Sequence, residues 1–551
     1  MLLQLTARPA LVAALLFAVG FGLTASLPAH FGWPQPVLHD EFAYIFEGET
    51  FAQGRLTNPP PPGPPEFFET FHHLVTPFYI GKFPPGQGLA LAMGVLLGHA
   101  IIGIWIINGL WAIALYWMLR GFAPPRWALL GAVAGIATYG AFSYWGQTYW
   151  GGSVLALGGT LTFGGALRLL KRRGCPYAAS TLAGLGCGIM ALTRPLDGFI
   201  FSLLPAAVIL WPAGRPVGKK PATLGRFLSF LAPAAAGVGL MLAYNVATTG
   251  SALLFAHRLY DNTFVPRLVL FVWQKPPPPS PGEPTYLADY QNAYADNMAA
   301  DPLTWSQQFQ NATHFADNLR DFIFPLATLP LVLIGLLGAF ITRDRAARLA
   351  LGSLAFLLLP LAILRYYGFP HYAAAWTAPA LVLMVQGARQ ACAALRRRRS
   401  CQPWLPFAAT TILLFFAPAS AVVGVLDRGQ PGWRGPPYYW ALDRQDLTAQ
   451  LTKRFAATGH RQLVALIYPP GHNPHDEWVF NSPDPAAQPV LWARSLGPQL
   501  DQKLFAAFPE YDHWILQTDP NGRFDKAKFR LIYSPPSPTA KTARVGLTPS
   551  P

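Results

Sequence analysis

A mainly α-helical, polytopic transmembrane bundle followed by a small α/β domain is the fold class this sequence predicts. Three observations carry it. Apolar and aromatic residues make up 52% of the 551 residues and charged residues only 12%, about half the charged share of an ordinary soluble domain. Apolar runs recur along the chain at close to the ~20 residues needed to cross ~30 Å of hydrocarbon. From about Asp427 the composition turns to that of a soluble domain.

The expected spans, about eleven, are roughly 9–28, 100–119, 127–145, 152–170, 177–193, 197–212, 227–247, 322–341, 349–364, 372–390 and 403–425. The first is long for a signal-peptide core and is preceded only by Arg8, which favours an uncleaved span over the weak cleavage pattern at 24–29. The formal charge of +15 follows the same plan. Basic residues gather in alternate gaps, at Arg120 and Arg126, Lys171 to Arg173, Arg215 to Arg226, Arg343 to Arg348, and Arg396 to Arg399. That is the positive-inside pattern. No basic stripe interleaves with aromatics, so the lipid bilayer is the expected partner and nucleic acid is not. The N-terminus is expected inside, with loops 29–99 and 248–321 and the C-terminal domain outside. Cys175, Cys392 and Cys401 lie in or beside inner gaps and Cys187 in a span, so no disulfide framework is implied.

The first outer loop opens on His39-Asp40-Glu41. An unpaired carboxylate at mid-bilayer costs about 2.5–3.5 kcal/mol, so an acidic pair belongs at the interface or in a wet cavity. The backbone reading makes Asp40 a helix cap with Glu41 in the first turn. The chemical reading makes them a reactive pair. The loop continues through a proline run at 58–65, the aromatics Phe67, Phe68 and Phe71, His72-His73, and Lys82-Phe83-Pro84-Pro85. Consecutive prolines cannot continue a helix, so this stretch is extended or turned. The apolar run 87–98 suits an interfacial or re-entrant helix better than a span.

Later outer turns hold further candidates. Ser143 to Gly152 is aromatic and uncharged, which fits an interface belt, with sugar stacking as the alternative. Arg194 and Asp197 are spaced to pair with each other. The loop 248–321 opens with His257-Arg258-Leu259-Tyr260-Asp261-Asn262 and carries an Asn311-Ala312-Thr313 sequon. Arg365 to Tyr372 is a short turn in which Arg365 and His371 either pair structurally or face an anionic group.

In the C-terminal domain, 426–533, the runs 463–468, 490–494 and 513–516 read as buried strands, with helices over 442–457 and 500–508. The tail 534–551 is rich in Pro, Ser and Thr and is expected to be disordered. His472, His475, Asp476 and Glu477 lie in a Gly/Pro-flanked stretch without ligand spacing and read as a solvated turn. No P-loop, His-Glu-x-x-His, Cys-x-x-Cys or nucleophile elbow is present.

An acidic pair just after the first span, a long first outer loop ending in Lys-x-Pro-Pro, and a large loop after the seventh span together resemble the GT-C membrane glycosyltransferases. Within them the arrangement is most similar to glycosyltransferase family 39 and its bacterial relatives, the protein mannosyltransferases and aminoarabinose transferase. The architectural likeness covers about 1–425 and the specific motifs lie in 39–86. It implies a polyprenyl-phosphate sugar donor, an extracytoplasmic acceptor (glycan, lipid or protein), inversion, and a bacterial inner membrane. By position it implies Asp40 as general base, Glu41 as its support, and Lys82 as a contact to the lipid phosphate. Arg194, Arg258, Arg365 and His371 are nominated as donor phosphate or sugar contacts because they are cationic and outer-facing.

These residue types fit the chemistry. A base takes the acceptor proton as the bond forms, and cations stabilise charge developing on the leaving phosphate. One departure stands out: many relatives carry an acid in the second outer loop that helps bind a divalent metal, and 143–152 contains neither Asp nor Glu. Metal dependence is therefore an open expectation, with Asp40, Glu41, His72 and His73 as candidate ligands and Glu47, Glu49, Glu66 and Glu69 as further donors. No cofactor is certain. Two other function classes compete: a transporter or flippase for lipid-linked glycans, which should place charge along its spans, and a non-catalytic assembly partner, which should not depend on the acidic pair.

Overall fold

The computed structural model describes residues 8–36, 38–210, 220–265, 268–275, 304–325, 328–341, 343–365, 368–397, 402, 404–426, 451–468, 477–517 and 530–534. Helices occupy the stretches expected as spans. They are α1 (Pro9–Ser26), α4 (Ile101–Leu119), α5 (Pro125–Gly135), α6 (Ser153–Lys171), α7 (Pro176–Thr193), α8 (Pro195–Leu210), α9 (Lys220–Thr249), α12 (Leu329–Ile341), α13 (Arg345–Ala355) with α14 (Leu358–Ile363), α15 (Thr377–Arg396) and α16 (Leu405–Leu426). Among the described residues six helical stretches are long and apolar enough to cross a membrane. With the composition, this makes the chain an integral membrane protein. Proline in the first turn starts α1, α5 and α7, where its missing N–H costs nothing.

The bundle is packed around α6, whose side chains are buried from Ser153 to Leu167. Helices α7 and α9 meet backbone to backbone: a Cβ on Gly237 would lie 2.3 Å from the Cα of Gly188. Outer helices instead leave apolar side chains exposed, among them Leu11, Leu15, Leu228, Leu240 and Leu337. A row of this kind belongs in lipid.

The loop after α1 folds into α2 (His39–Ala52), a small hairpin of β1 (His73–Leu74) and β2 (Ile80–Gly81), and α3 (Pro85–Leu96). Helix α3 matches the expected short helix: Gln87 and Leu91 are buried, while Leu89, Met93 and Leu96 are exposed. The later loops supply α10 (Ala256–Phe264) and α11 (Trp305–Ile323).

The C-terminal unit is a four-stranded sheet of order β4-β3-β5-β6. Its strands are β3 (Gln462–Ile467), β4 (Val490–Arg494), β5 (Asp512–Gln517) and β6 (Arg530–Ser534), with α17 (Pro498–Ala507) crossing from β4 to β5. Strands β4 and β5 both run parallel to β3, and β6 closes the edge antiparallel to β5. Of the expected helix 442–457, residues 451–456 are helical and 442–450 lie outside the described residues.

Several expectations are corrected. The run 322–341 is not one helix: Phe322 and Ile323 form the end of α11, and α12 begins at Leu329. The run 349–364 divides between α13 and α14, with Pro360 in the second piece. Strand β6 was not expected, and it carries the sheet to Ser534. Tyr144, Trp145 and Tyr149 are 0–2% exposed, so they pack inside the protein and do not form a lipid-facing belt. Glu477 is 1% exposed, in contact with Arg494 and Tyr468, and not in a solvated turn. His472, His475, Asp476, residues 266–267 and 276–303 of the loop 248–321, and the tail 535–551 lie outside the described residues.

Candidate active site

Helix α2 begins where it does because Glu41 turns back on the chain. Its Oε2 accepts the Leu38 amide at 3.1 Å, filling one of the donors a helix start leaves open. Its Oε1 accepts the Tyr149 amide at 3.0 Å, which ties the turn 143–152 to α2. Asp40 is therefore not the cap; Leu38 holds that position. The Asp40 carboxylate meets His72 instead, with Nδ1 2.6 Å from Oδ1 and the two side chains 23% and 20% exposed. That exposure leaves the pair open to a reactant.

The β1–β2 hairpin explains why His72 and Lys82 lie together. Its register pairs His73 with Gly81 and Leu74 with Ile80. One step further the Lys82 amide donates to the His72 carbonyl at 3.0 Å, and the His72 amide donates to the Tyr260 hydroxyl at 3.1 Å. His72 sits at φ +63, a left-handed conformation that costs a non-glycine residue about 1–2 kcal/mol. Strain of this kind, held by bonds on both sides of one residue, is common at functional sites.

The segment after the hairpin is strapped to α2. Phe83 stacks on Tyr44 at 4.3 Å, and its amide donates to Glu47 Oε1 at 3.0 Å. Glycine is required here, since a Cβ on Gly81 would come within 2.6 Å of that carboxyl oxygen. Lys82 is 8% exposed, and its ammonium lies 4.6 Å from the Tyr260 ring centroid. One turn of α10 adds His257, whose Nδ1 is 3.1 Å from Asp261 Oδ2. The other Asp261 oxygen, Oδ1, is buried with no partner among the described residues.

On the other side stand Arg194 and His371. Arg194 Nε pairs with Asp197 at 2.6 Å, as its spacing predicted, and its guanidinium covers the Tyr372 ring at 3.9 Å. The His371 amide reaches the Tyr144 hydroxyl at 3.0 Å, and its Nδ1 lies 2.9 Å from that oxygen. A π-helical turn at Ile136–Ala141 ends α5 and delivers Tyr144 to this place.

Electrostatics join these groups. Burial alone would raise the Asp40 carboxyl, but His72, Lys82 and His371 outweigh it and hold it well below the usual range. Burial and the neighbouring Lys82 push His72 down to about 4 against the pull of Asp40. At neutral pH the pair is thus a carboxylate facing a neutral imidazole. Burial pushes Lys82 down, opposed by Asp261 and Asp40. Burial and Arg194 hold His371 well below its ordinary value, so it too is neutral.

Not every nominated residue joins the cluster. Arg258 is exposed on α10 and reaches the site only through its field on Asp261. Arg365 is 1% exposed, and its guanidinium donates to the carbonyls of Gln274 and Phe271, a role in bracing the chain. His73 Nδ1 lies 2.9 Å from the Phe71 carbonyl, and its ring packs on Phe46. The four candidate metal ligands do not converge: Glu41 is committed to two amides, and His73 faces away. Among the described residues no group of three or more His, Cys, Asp or Glu is arranged to hold a metal ion. The sequence pointed to Asp40 and Lys82 but not to Tyr260, Asp261 and His257 as their companions. The His257-x-x-Tyr260-Asp261 spacing on one helical face was the available signal.

No protein-family model matches the chain, and none of the curated proteins matches it. Among solved structures it is similar to the oligosaccharyltransferase of Archaeoglobus fulgidus. The apo form aligns with a TM-score of 0.42 at 10% identity, over 83% of this chain and 62% of that one. The form with Zn and sulfate aligns at 0.44 and 10%, over 92% and 68%. The form tethered to an acceptor peptide containing an NVT sequon aligns at 0.44 and 11%, over 93% and 69%. The chain thus spans about two thirds of the length of the structures it matches.

Proposed function

We propose that this chain is an integral membrane glycosyltransferase of the GT-C type, resembling family 39. It would move a sugar from a polyprenyl-phosphate donor to an extracytoplasmic acceptor. The observation that carries the reading is the accessible Asp40–His72 pair set beside the buried Lys82. In the proposed reaction Asp40 Oδ2 takes the proton of an acceptor hydroxyl. The hydroxyl oxygen bonds the anomeric carbon as the bond from that carbon to the phosphate oxygen breaks, with inversion. Lys82 faces the departing phosphate, and Arg194 and the neutral His371 line the sugar side.

A carboxylate held far below neutrality is a weak base, since the best base has a pKa near the working pH. Donor binding corrects this. The phosphodiester brings negative charge beside Lys82, cancels part of the field that depresses Asp40, and excludes water, and all three raise the carboxyl. Glu41 serves by fixing the start of α2 and the second outer turn. The donor set offers no convergent metal site, so no step is assigned to a metal.

The test is donor class. Purified protein supplied with sugars on polyprenyl phosphate, polyprenyl pyrophosphate or nucleoside diphosphate should turn over only the first. Turnover with nucleotide sugars alone would overturn the reading. Movement of intact lipid-linked sugar across vesicles without transfer would favour the flippase.

A further inference from the structure

We infer that the C-terminal α/β domain is the outer brace of the candidate active site, with Phe480 and Arg494 as positioning residues for the Asp40–His72 pair. The inference rests on the glycosyltransferase reading for its activity readout and on geometry alone for its structural one.

Two anchors reach from the domain to the site. Phe480 lies face to face on Phe42 of α2, with ring centroids 3.6 Å apart and planes 5° from parallel. Phe42 is two residues beyond Asp40, and Phe480 also approaches the His73 ring at 6.1 Å. The second anchor is Arg494, which donates from Nη2 to the Glu69 carbonyl at 3.4 Å, three residues before His72. Between the anchors the two parts share one core: Phe46, Phe67, Phe68, Val75 and Tyr79 from the first loop pack with Leu463, Leu491, Leu504, Phe508 and Tyr511 from the domain. Both partners of the catalytic pair thus rest on the domain, Asp40 through α2 and His72 through the loop.

The domain side of these contacts is rigid. Asn481, next to Phe480, exchanges two bonds with the Trp492 backbone, at 2.8 and 2.9 Å. Glu477 bonds the amides of Trp478 and Val479 at 2.9 and 3.0 Å and is paired with Arg494. Phe480 is therefore presented by a segment fixed to β4, the strand that carries Arg494. A domain that only hung from the last span would need neither anchor. Here the chain closes a loop from its end back to its first outer segment, and a left-handed residue such as His72 needs that kind of support.

The test uses the full-length protein carrying Phe480→Ala, Phe480→Tyr, or the double replacement Glu477→Gln with Arg494→Met, which leaves no buried charge unpaired. Hydrogen exchange is read over 39–52 and 65–83, and kcat and KM for a polyprenyl-phosphate sugar are measured in parallel. Phe480→Ala and the double variant should quicken exchange in both first-loop segments and lower kcat on the order of tenfold or more with little change in donor KM. Their acid limb should shift upward as the Asp40–His72 contact loosens, and Phe480→Tyr, which keeps the stacked ring, should restore wild-type behaviour. Exchange that quickens only within 451–534, with kcat unchanged, would overturn the inference. If wild type itself turns over no such donor, the exchange result still decides whether the brace exists, and the glycosyltransferase reading fails separately.

Discussion

Replacing His72 by glycine removes the imidazole that holds Asp40 while keeping a residue at ease with the left-handed backbone there. The His72 Nδ1 to Asp40 Oδ1 contact is 2.6 Å, with the carboxylate 23% exposed. A hydrogen bond to a charged group contributes about 1.5–3 kcal/mol. At about 1.4 kcal/mol per pKa unit, its loss raises Asp40 by roughly one to two units. The direction follows from the folded state, in which Asp40 is depressed, so its basic form persists at low pH and activity disappears only as pH falls through that low value. Without His72, burial acts with less opposition and the acid limb of the kcat/KM profile moves to higher pH by the same one to two units. The assay is transfer from a polyprenyl-phosphate sugar measured from about pH 2 upward, because the depressed carboxyl and the partly released one both titrate below the ordinary carboxylate range. His72→Ala should show the same limb with a lower melting temperature than His72→Gly, because alanine keeps the left-handed cost of about 1–2 kcal/mol. An acid limb that stays in place would refute the pairing as the source of the depressed carboxyl.

Other consequences follow from the same geometry. Lys82→Met should raise donor KM about 10-fold or more, the effect of losing a charge-assisted bond to phosphate, with acceptor KM nearly unchanged; an unchanged donor KM would remove Lys82 from that role. Glu47→Ala should destabilise the protein by about 1–3 kcal/mol in a detergent melt, because it leaves the half-buried Phe83 amide without its acceptor, whereas Glu47→Gln keeps one. Glu49 is pushed up to about 7 by burial. The folded state then binds more protons than the unfolded state between the ordinary carboxyl range and about 7, so stability falls as pH rises through that window. Glu49→Gln should flatten that fall, seen as a smaller difference between melting temperatures at pH 5 and pH 8.

Sequence periodicity located the helices of the bundle and three of the four strands of the C-terminal sheet, because long apolar runs and short apolar runs bounded by turn residues are local signals. Junctions were less legible. Phe322 reads as part of a following span, yet it lies in the last turn of α11, since the apolar run continues across the break. The aromatics of 143–152 read as a lipid belt because composition cannot distinguish a ring facing lipid from one facing protein. For the site, the acidic pair and Lys82 stood out by position, but the division of labour within the pair did not. Only the fold shows that Glu41 is committed to the amides of Leu38 and Tyr149. The His72–Lys82 pairing depends on a hairpin with two-residue strands, too short to leave a periodic trace. The docking of Phe480 on Phe42 joins positions more than four hundred residues apart and has no local signal at all.

The central claim is that Asp40 is the base of a sugar transfer from a lipid phosphate. It is tested most directly by steady-state transfer from a polyprenyl-phosphate sugar with purified wild type and Asp40→Asn, matched for melting temperature. Asparagine keeps the shape and an oxygen to face His72 but cannot take a proton at neutral pH. The account predicts loss of at least 10²-fold in kcat, within the range general bases supply, with donor affinity nearly unchanged. Transfer by Asp40→Asn at the wild-type rate would contradict it.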